Sequence, residues 1–163
     1  MQTHLDTRFS EATEPVPWQT AEGLLLDAEL YWLTTVRGDG RPHVAPLVGL
    51  WVPGAFVFCT GADEQKARNL AHHADVVVTT GVNTWNHGVD VVVEGAAERV
   101  NSDSALTDVA DAYREKYSGD WDFGVSDGML THSDGGRAQV FQVPPRKVIA
   151  FAKSPHGQTT FRF

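Results

Sequence analysis

The stretch FCTGADEQKARNL, Phe58 to Leu70, sets Lys66, Arg68 and Asn69 just after the small pair Thr60-Gly61. A cation beside a glycine that admits close backbone approach is chemistry suited to an anion such as a phosphate. On a helix capped by Asp63, Lys66 and Asn69 share one side, and Arg68 lies about 200° round from Lys66. Lys66 is therefore the better anion ligand of the two cations. The plain alternative is a solvated helix with scattered charges.

A second stretch, RPHVAPLVGLWV from Arg41 to Val52, carries Pro46 and Gly49 within an apolar run. Proline cannot donate to a strand ladder and glycine leaves its face bare. Such a segment is either an edge strand with a bulge or a surface on which a flat ligand lies. In extended chain His43, Ala45 and Leu47 share one face, and Val44, Pro46 and Val48 the other.

Other chemistries find little footing. Among the seven histidines there is no HExxH or Cys/His spacing. Adjacent His72 and His73 would diverge by about 100° on a helix, a poor chelating pair. No metal site is expected. There is no G-x-S-x-G elbow, and Cys59 sits within an apolar strand, where it reads as a small core residue. The glycines of RGDGRP belong to a hairpin and not to a dinucleotide loop. His43 and His87 are the weak candidates for a general acid, because histidine titrates near neutral pH.

The elements that must position these residues follow from pattern. Residues 1–17 read as a mobile or loosely docked arm, without the basic and apolar blocks of a signal peptide. Residues 18–163 read as one domain. Trp18 to Glu29 fits a short helix with Thr20 as its cap. YWLTTVRGDGRPHVAPLVGLWVPGAFVFCT gives three strands joined by turns at Gly38-Asp39-Gly40 and Pro53-Gly54. Connections this short make an antiparallel meander. Asp63 to His73 is a helix, with Ala67, Leu70, Ala71 and Ala74 as its inward stripe. Asp75–Val82 and Val89–Val100 are strands, and Ser102–Tyr117 is a helix with Leu106, Val109, Ala110 and Tyr113 on one side. Ser118 to Gly136 reads as a loop or lid, and three strands close the chain. The fold class is mainly β (α+β), six or more antiparallel strands with a few short packed helices. Periodicity does not separate a closed barrel from a sandwich.

The chain has 163 residues, 42% of them hydrophobic, and a formal charge of −8. That charge opposes nucleic-acid binding but not one local anion site. A single cysteine excludes an intrachain disulfide, and no apolar run approaches a membrane span. A cytoplasmic protein is expected.

The ordered set of a short helix, YWLTTVRGDGRPHVAPL, FVFCTGADEQKARNLAHHADVVVTT, VVVEGAAERV and the ending KVIAFAKSPHGQTTFRF resembles the flavin/deazaflavin oxidoreductases of split β-barrel fold. This is the pyridoxamine 5′-phosphate oxidase-like superfamily, which includes F420-dependent reductases. The resemblance covers roughly Ala21 to Phe163. It implies a homodimer that binds F420 or FMN in a groove between two barrels. His43, Val44, Ala45 and Pro46 would lie along the ring; Thr60 and Gly61 would line the ribityl chain and phosphate. Lys66 would pair with the phosphate, assisted by Arg68 and Asn69, while Phe151 and Arg162 of the second copy would approach the ring edge. Departures are equally specific. Gln65 stands where pyridoxamine oxidases carry an arginine, and the residues gripping their phosphorylated substrate have no match, which argues against vitamin B6 oxidation. F420 is slightly favoured over FMN by the spacing KARNL, although the −8 charge gives no help with its polyglutamate tail. The implied activity is hydride transfer to a small unsaturated or conjugated substrate, with water limited by the aromatic segment Trp121–Phe123 and the turn Asn83–His87. The alternative is a non-catalytic barrel that stores or senses flavin or haem.

Overall fold

The computed structural model describes residues 1–163. In chain order the elements are β1 (Gln2–Leu5), α1 (Trp18–Asp27), β2 (Tyr31–Val36), β3 (Pro42–Leu47), β4 (Leu50–Val52), β5 (Ala55–Thr60), α2 (Gln65–Leu70), β6 (Asp75–Thr80) and β7 (Val89–Ala96). They continue with β8 (Glu98–Val100), α3 (Asp103–Lys116), β9 (Gly124–Ser126), β10 (Met129–Thr131), β11 (Arg137–Val143), β12 (Pro145–Lys153) and β13 (His156–Arg162). One sheet runs β1-β13-β12-β7-β6-β2-β3; the second runs β4-β5-β11-β10-β9, with β8 also on β11. Every pairing is antiparallel.

Alternation along the strands sends Leu33, Val78, Val93, Val148 and Phe161 inward as one cross-strand row, all fully buried. They meet Phe56 and Phe58 of the second sheet in a common core. β5 is apolar throughout because both of its faces are covered. Phe56 and Phe58 face that core, and Val57 and Cys59 face a second one beneath α3. Burying a phenylalanine this fully contributes roughly 1.5–3 kcal/mol, so β5 ties the two layers together.

α3 follows its pattern closely. Leu106, Val109, Ala110 and Tyr113 are the buried face, and Ser102 Oγ caps the helix by accepting from Ala105 N at 3.4 Å. Arg114 and Lys116 fall in the last turn, where cations suit the helix dipole.

Several expectations are corrected. Residues 1–17 are not a loose arm: β1 pairs with β13, Glu11 and Ala12 donate to the His156 carbonyl, and Val16 N donates to Thr159 Oγ1. α1 begins after Pro17, with no side-chain cap from Thr20. The segment expected as three strands is four, because the chain changes sheets between Leu47 and Leu50. Gly49 sits at that crossing, where an added Cβ would lie 2.5 Å from the Phe56 ring. Val89–Val100 divides at Ala97 into strands of different sheets. Residues 118–136 are not an irregular loop throughout: Gly124–Thr131 within them form the β9–β10 hairpin, turned by Asp127 and Gly128 at positive φ. Phe123 of that segment is buried against Tyr113 under α3.

Candidate functional site

The segment read as carrying a ligand, β3, is the last strand of the seven-stranded sheet and pairs only with β2. Pro46 is tolerated there for that reason. Val44 is 54% exposed and shares the outer face with Pro46, Trp32 and Thr34. His43 and Ala45 point to the opposite side and are partly covered.

α2 is shorter than expected, with Glu64 and not Asp63 at its N-cap. Of the inward stripe, Ala67 is buried and Leu70 packs on the core, while Ala71 and Ala74 are exposed. Asn69, expected beside the ligand, is 1% exposed and fully engaged. Its Nδ2 donates to Thr35 Oγ1 at 2.8 Å, and its Oδ1 accepts from Gln65 Nε2 at 2.7 Å. Thr35 Oγ1 lies 3.5 Å from His43 Nδ1. Asn69 therefore positions α2 against β2 and β3. Burial, followed by the charges of Arg37 and Lys66, holds the His43 imidazole below its ordinary range.

Lys66 has a side chain only 12% exposed, and its ammonium pairs with one oxygen of Glu64. The other Glu64 oxygen accepts from the Gly61 backbone N–H at 2.8 Å. Partial burial raises the Glu64 carboxyl, and the bonds from Lys66 and Gly61 outweigh it to leave a net lowering. Thr60 is buried at the end of β5, its Oγ1 donating to the Gly61 carbonyl at 3.3 Å. The cradle at Thr60, Gly61 and Lys66 is thus assembled around a carboxylate supplied by the chain itself. An ammonium beside a backbone N–H is the kind of donor pair that also suits a phosphate, and here Glu64, half exposed, occupies it. Arg68 is exposed and takes no part in this cluster.

The remaining predicted residues lie elsewhere. Phe151 lines a large cavity, about 1100 Å³, together with Trp32 and Trp85. Arg162 lines a separate polar recess of about 780 Å³ beside His4, Arg8 and Lys147. Phe151 aligns with Gln158 on β13 whereas Arg162 aligns with Lys147, so one protomer does not bring the two together. His87 is exposed in the β6–β7 loop, 3.2 Å from Asn86 Oδ1, and does not meet His43. Trp121–Phe123 does not line the large cavity, whereas Asn83–Asn86 does. Burial pushes the Cys59 thiol up to about 11, which suits a packed residue and not a nucleophile. No three His, Cys, Asp or Glu side chains converge to hold a metal ion.

Sequence reasoning missed Glu64, Thr35, Trp32 and Lys153. The spacing of Glu64, two residues before Lys66, was a readable signal for the first. The others depend on which strands become neighbours.

No curated protein sequence matches the chain. Among solved structures, a conserved hypothetical protein from Mycobacterium tuberculosis is similar with TM-score 0.72 and 21% identity, covering 88% of this chain and 89% of that one. A structure described as an F420 reductase is similar with TM-score 0.58 and 21% identity, over 78% and 94% of the two chains. A haem storage protein from Vibrio cholerae is similar with TM-score 0.59 and 16% identity, over 83% and 92%. At these identities the likeness is one of fold. The family model described as pyridoxamine 5′-phosphate oxidase matches residues 18–152, from the first turn of α1 almost to the end of β12, and the chain belongs to that family.

Proposed function

We propose that this protein is an F420- or FMN-dependent oxidoreductase acting as a homodimer, with the cofactor in the seam between two copies. The observation that carries the reading is the cradle of Lys66, Gly61 and Thr60 beside the edge strand β3. Lys66 and the Gly61 N–H would hold the cofactor phosphate, and the β3 edge at His43, Val44, Ala45 and Pro46 would lie along its ring. When bound, the cofactor supplies hydride transfer. The protein's part is to fix the phosphate, orient the ring and admit the substrate.

The dimer is supported by what one copy leaves uncovered. Trp32 is 48% and Val44 54% exposed on the same face of the seven-stranded sheet. A second copy seated there would bring its Phe151 or Arg162 toward the ring. The lone, packed Cys59 suits a reducing cytoplasm. F420 keeps a slight preference over FMN on the spacing KARNL.

A second reading, storage or sensing of flavin or haem, draws on the self-neutralised cradle, because Glu64 already satisfies Lys66. Titration of the purified chain with FMN and with F420, read by fluorescence, tests the cofactor assignment. Stoichiometric binding that weakens in Lys66→Ala supports it, and equal affinity in the two proteins removes it. Turnover of a conjugated acceptor with reduced cofactor then separates the reductase from the storage protein.

A further inference from the structure

The cavity of about 1100 Å³ lies between the β6–β7 loop and the β12–β13 turn, on the side of the seven-stranded sheet that carries Trp32. Three aromatic side chains line it: Trp32, Phe151 and Trp85, the last 91% exposed. Thr79, Asn83 and Ser154 add polar groups able to orient a ligand.

Its charge is decided by Lys153. The side chain is 13% exposed, and its ammonium stands 3.0 Å from Asp90 Oδ1. It donates to the Thr84 carbonyl at 2.7 Å and also to the Val82 carbonyl. An ammonium has three N–H donors, and here two brace the loop carbonyls while the third faces Asp90 on β7. Asp90 cancels the charge, and Glu11, which has no ion-pair partner, adds a carboxylate to the lining. A phosphate or sulfonate entering here would lose water, meet no free lysine or arginine, and face the Glu11 carboxylate. A flat uncharged molecule would gain aromatic contact at no such cost.

We infer that this cavity is the substrate subsite and that it selects uncharged, planar, conjugated molecules over their anionic counterparts. The inference rests on the proposed dimer, in which Phe151 of one copy stands beside the ring held by the other. Phosphorylated substrates, among them the vitamin B6 phosphates, are excluded by the same charge pattern.

Equilibrium dialysis of the full cofactor-free chain with menadione, a neutral quinone, and with naphthoquinone sulfonate, a comparably flat anion, tests it. Menadione should bind about ten-fold or more tightly than the sulfonate, the scale of one unpaired buried charge. Trp85→Ala should weaken menadione about five-fold or more through lost aromatic contact, with an unchanged melting temperature because the side chain is so exposed. Asp90→Asn, which leaves the Lys153 charge uncancelled, should narrow the preference by strengthening the sulfonate. Equal affinities, a preference for the anion, or no response to Trp85→Ala would overturn the inference. Since no cofactor is present, this outcome is independent of the Lys66 titration, and either result can fail alone.

Discussion

Glu64 is the residue on which the anion site turns. It holds the Lys66 ammonium and the Gly61 N–H, the two donors proposed above for the cofactor phosphate. Any anion must therefore displace a carboxylate before it binds. Glu64→Gln removes that competitor while keeping the side chain's shape, and should tighten FMN or F420 by roughly ten-fold, the worth of one charge-assisted bond. Lys66→Ala should weaken the same ligands by roughly ten- to hundred-fold on the same scale. Calorimetric dissociation constants for the three proteins check both; a weaker Glu64→Gln complex would show that the carboxylate supports the site. Asn69→Ala acts differently, because its amide is buried between Gln65 and Thr35. It should lower stability by about 1–3 kcal/mol, the cost of stranding buried polar groups, and urea denaturation measures it.

At the scale of elements, two junctions carry the fold. The first is Gly49, where the chain leaves one sheet for the other with a Cβ position 2.5 Å from Phe56 Cζ and 3.1 Å from the Val57 carbonyl. Gly49→Ala should cost about 1–3 kcal/mol, typical of overpacking, measured as a shift in urea midpoint at constant slope. The second is the end of α3. Lys116 Nζ donates to Tyr31 Oη at 2.8 Å and to the Gly49 carbonyl at 3.0 Å, joining α3 to β2 and the sheet crossing. Burial lowers its pKa to about 8 despite the nearby carboxylates of Asp27 and Glu29. A lysine whose folded pKa lies below its unfolded value binds fewer protons when folded. Its contribution is complete above the unfolded pKa and falls away as pH drops through about 8. The stability of the parent relative to Lys116→Met should therefore rise between pH 7 and pH 9.5, as melts of the two proteins across that range would show. A flat difference would mean that the ammonium is not desolvated.

For the whole molecule, the question is what covers the face bearing Trp32 and Val44. α3 and the second sheet enclose one core and the two sheets enclose the other, so this face is left for a partner or a ligand. The proposed dimer has twice the 17.8 kDa mass of the chain, and sedimentation equilibrium should find it. Val44→Asp, placed on an exposed position, should shift the population to monomer and reduce cofactor affinity together. A monomeric parent, or a Val44→Asp dimer with normal binding, would place the interface elsewhere. No helix is long and apolar enough to cross a membrane.

Local pattern was enough for much of this. The i, i+3, i+4, i+7 spacing of Leu106 to Tyr113 fixed α3, because helical periodicity acts within a few residues, whereas the structure chose Ser102 as its cap. Turn glycines and alternating valines likewise marked β2, β3, β6 and β7 of the seven-stranded sheet. The family resemblance was legible in the ordered segments from YWLTT to KVIAF, and the family match on residues 18–152 agrees. The β9–β10 hairpin was not legible, since its strands are three residues long and are held by β11 and α3 rather than by their own propensity. Nor was the docking of residues 1–17, which depends on β13 at the far end of the chain. In the site, sequence alone singled out Lys66, Gly61 and the edge character of β3. Only tertiary structure decided that Asn69 is a buried brace, that Phe151 and Arg162 occupy different recesses, and that Lys153 is silent. Those outcomes depend on which strands become neighbours across tens of residues, and hydrogen-bond partners and burial are properties of that arrangement.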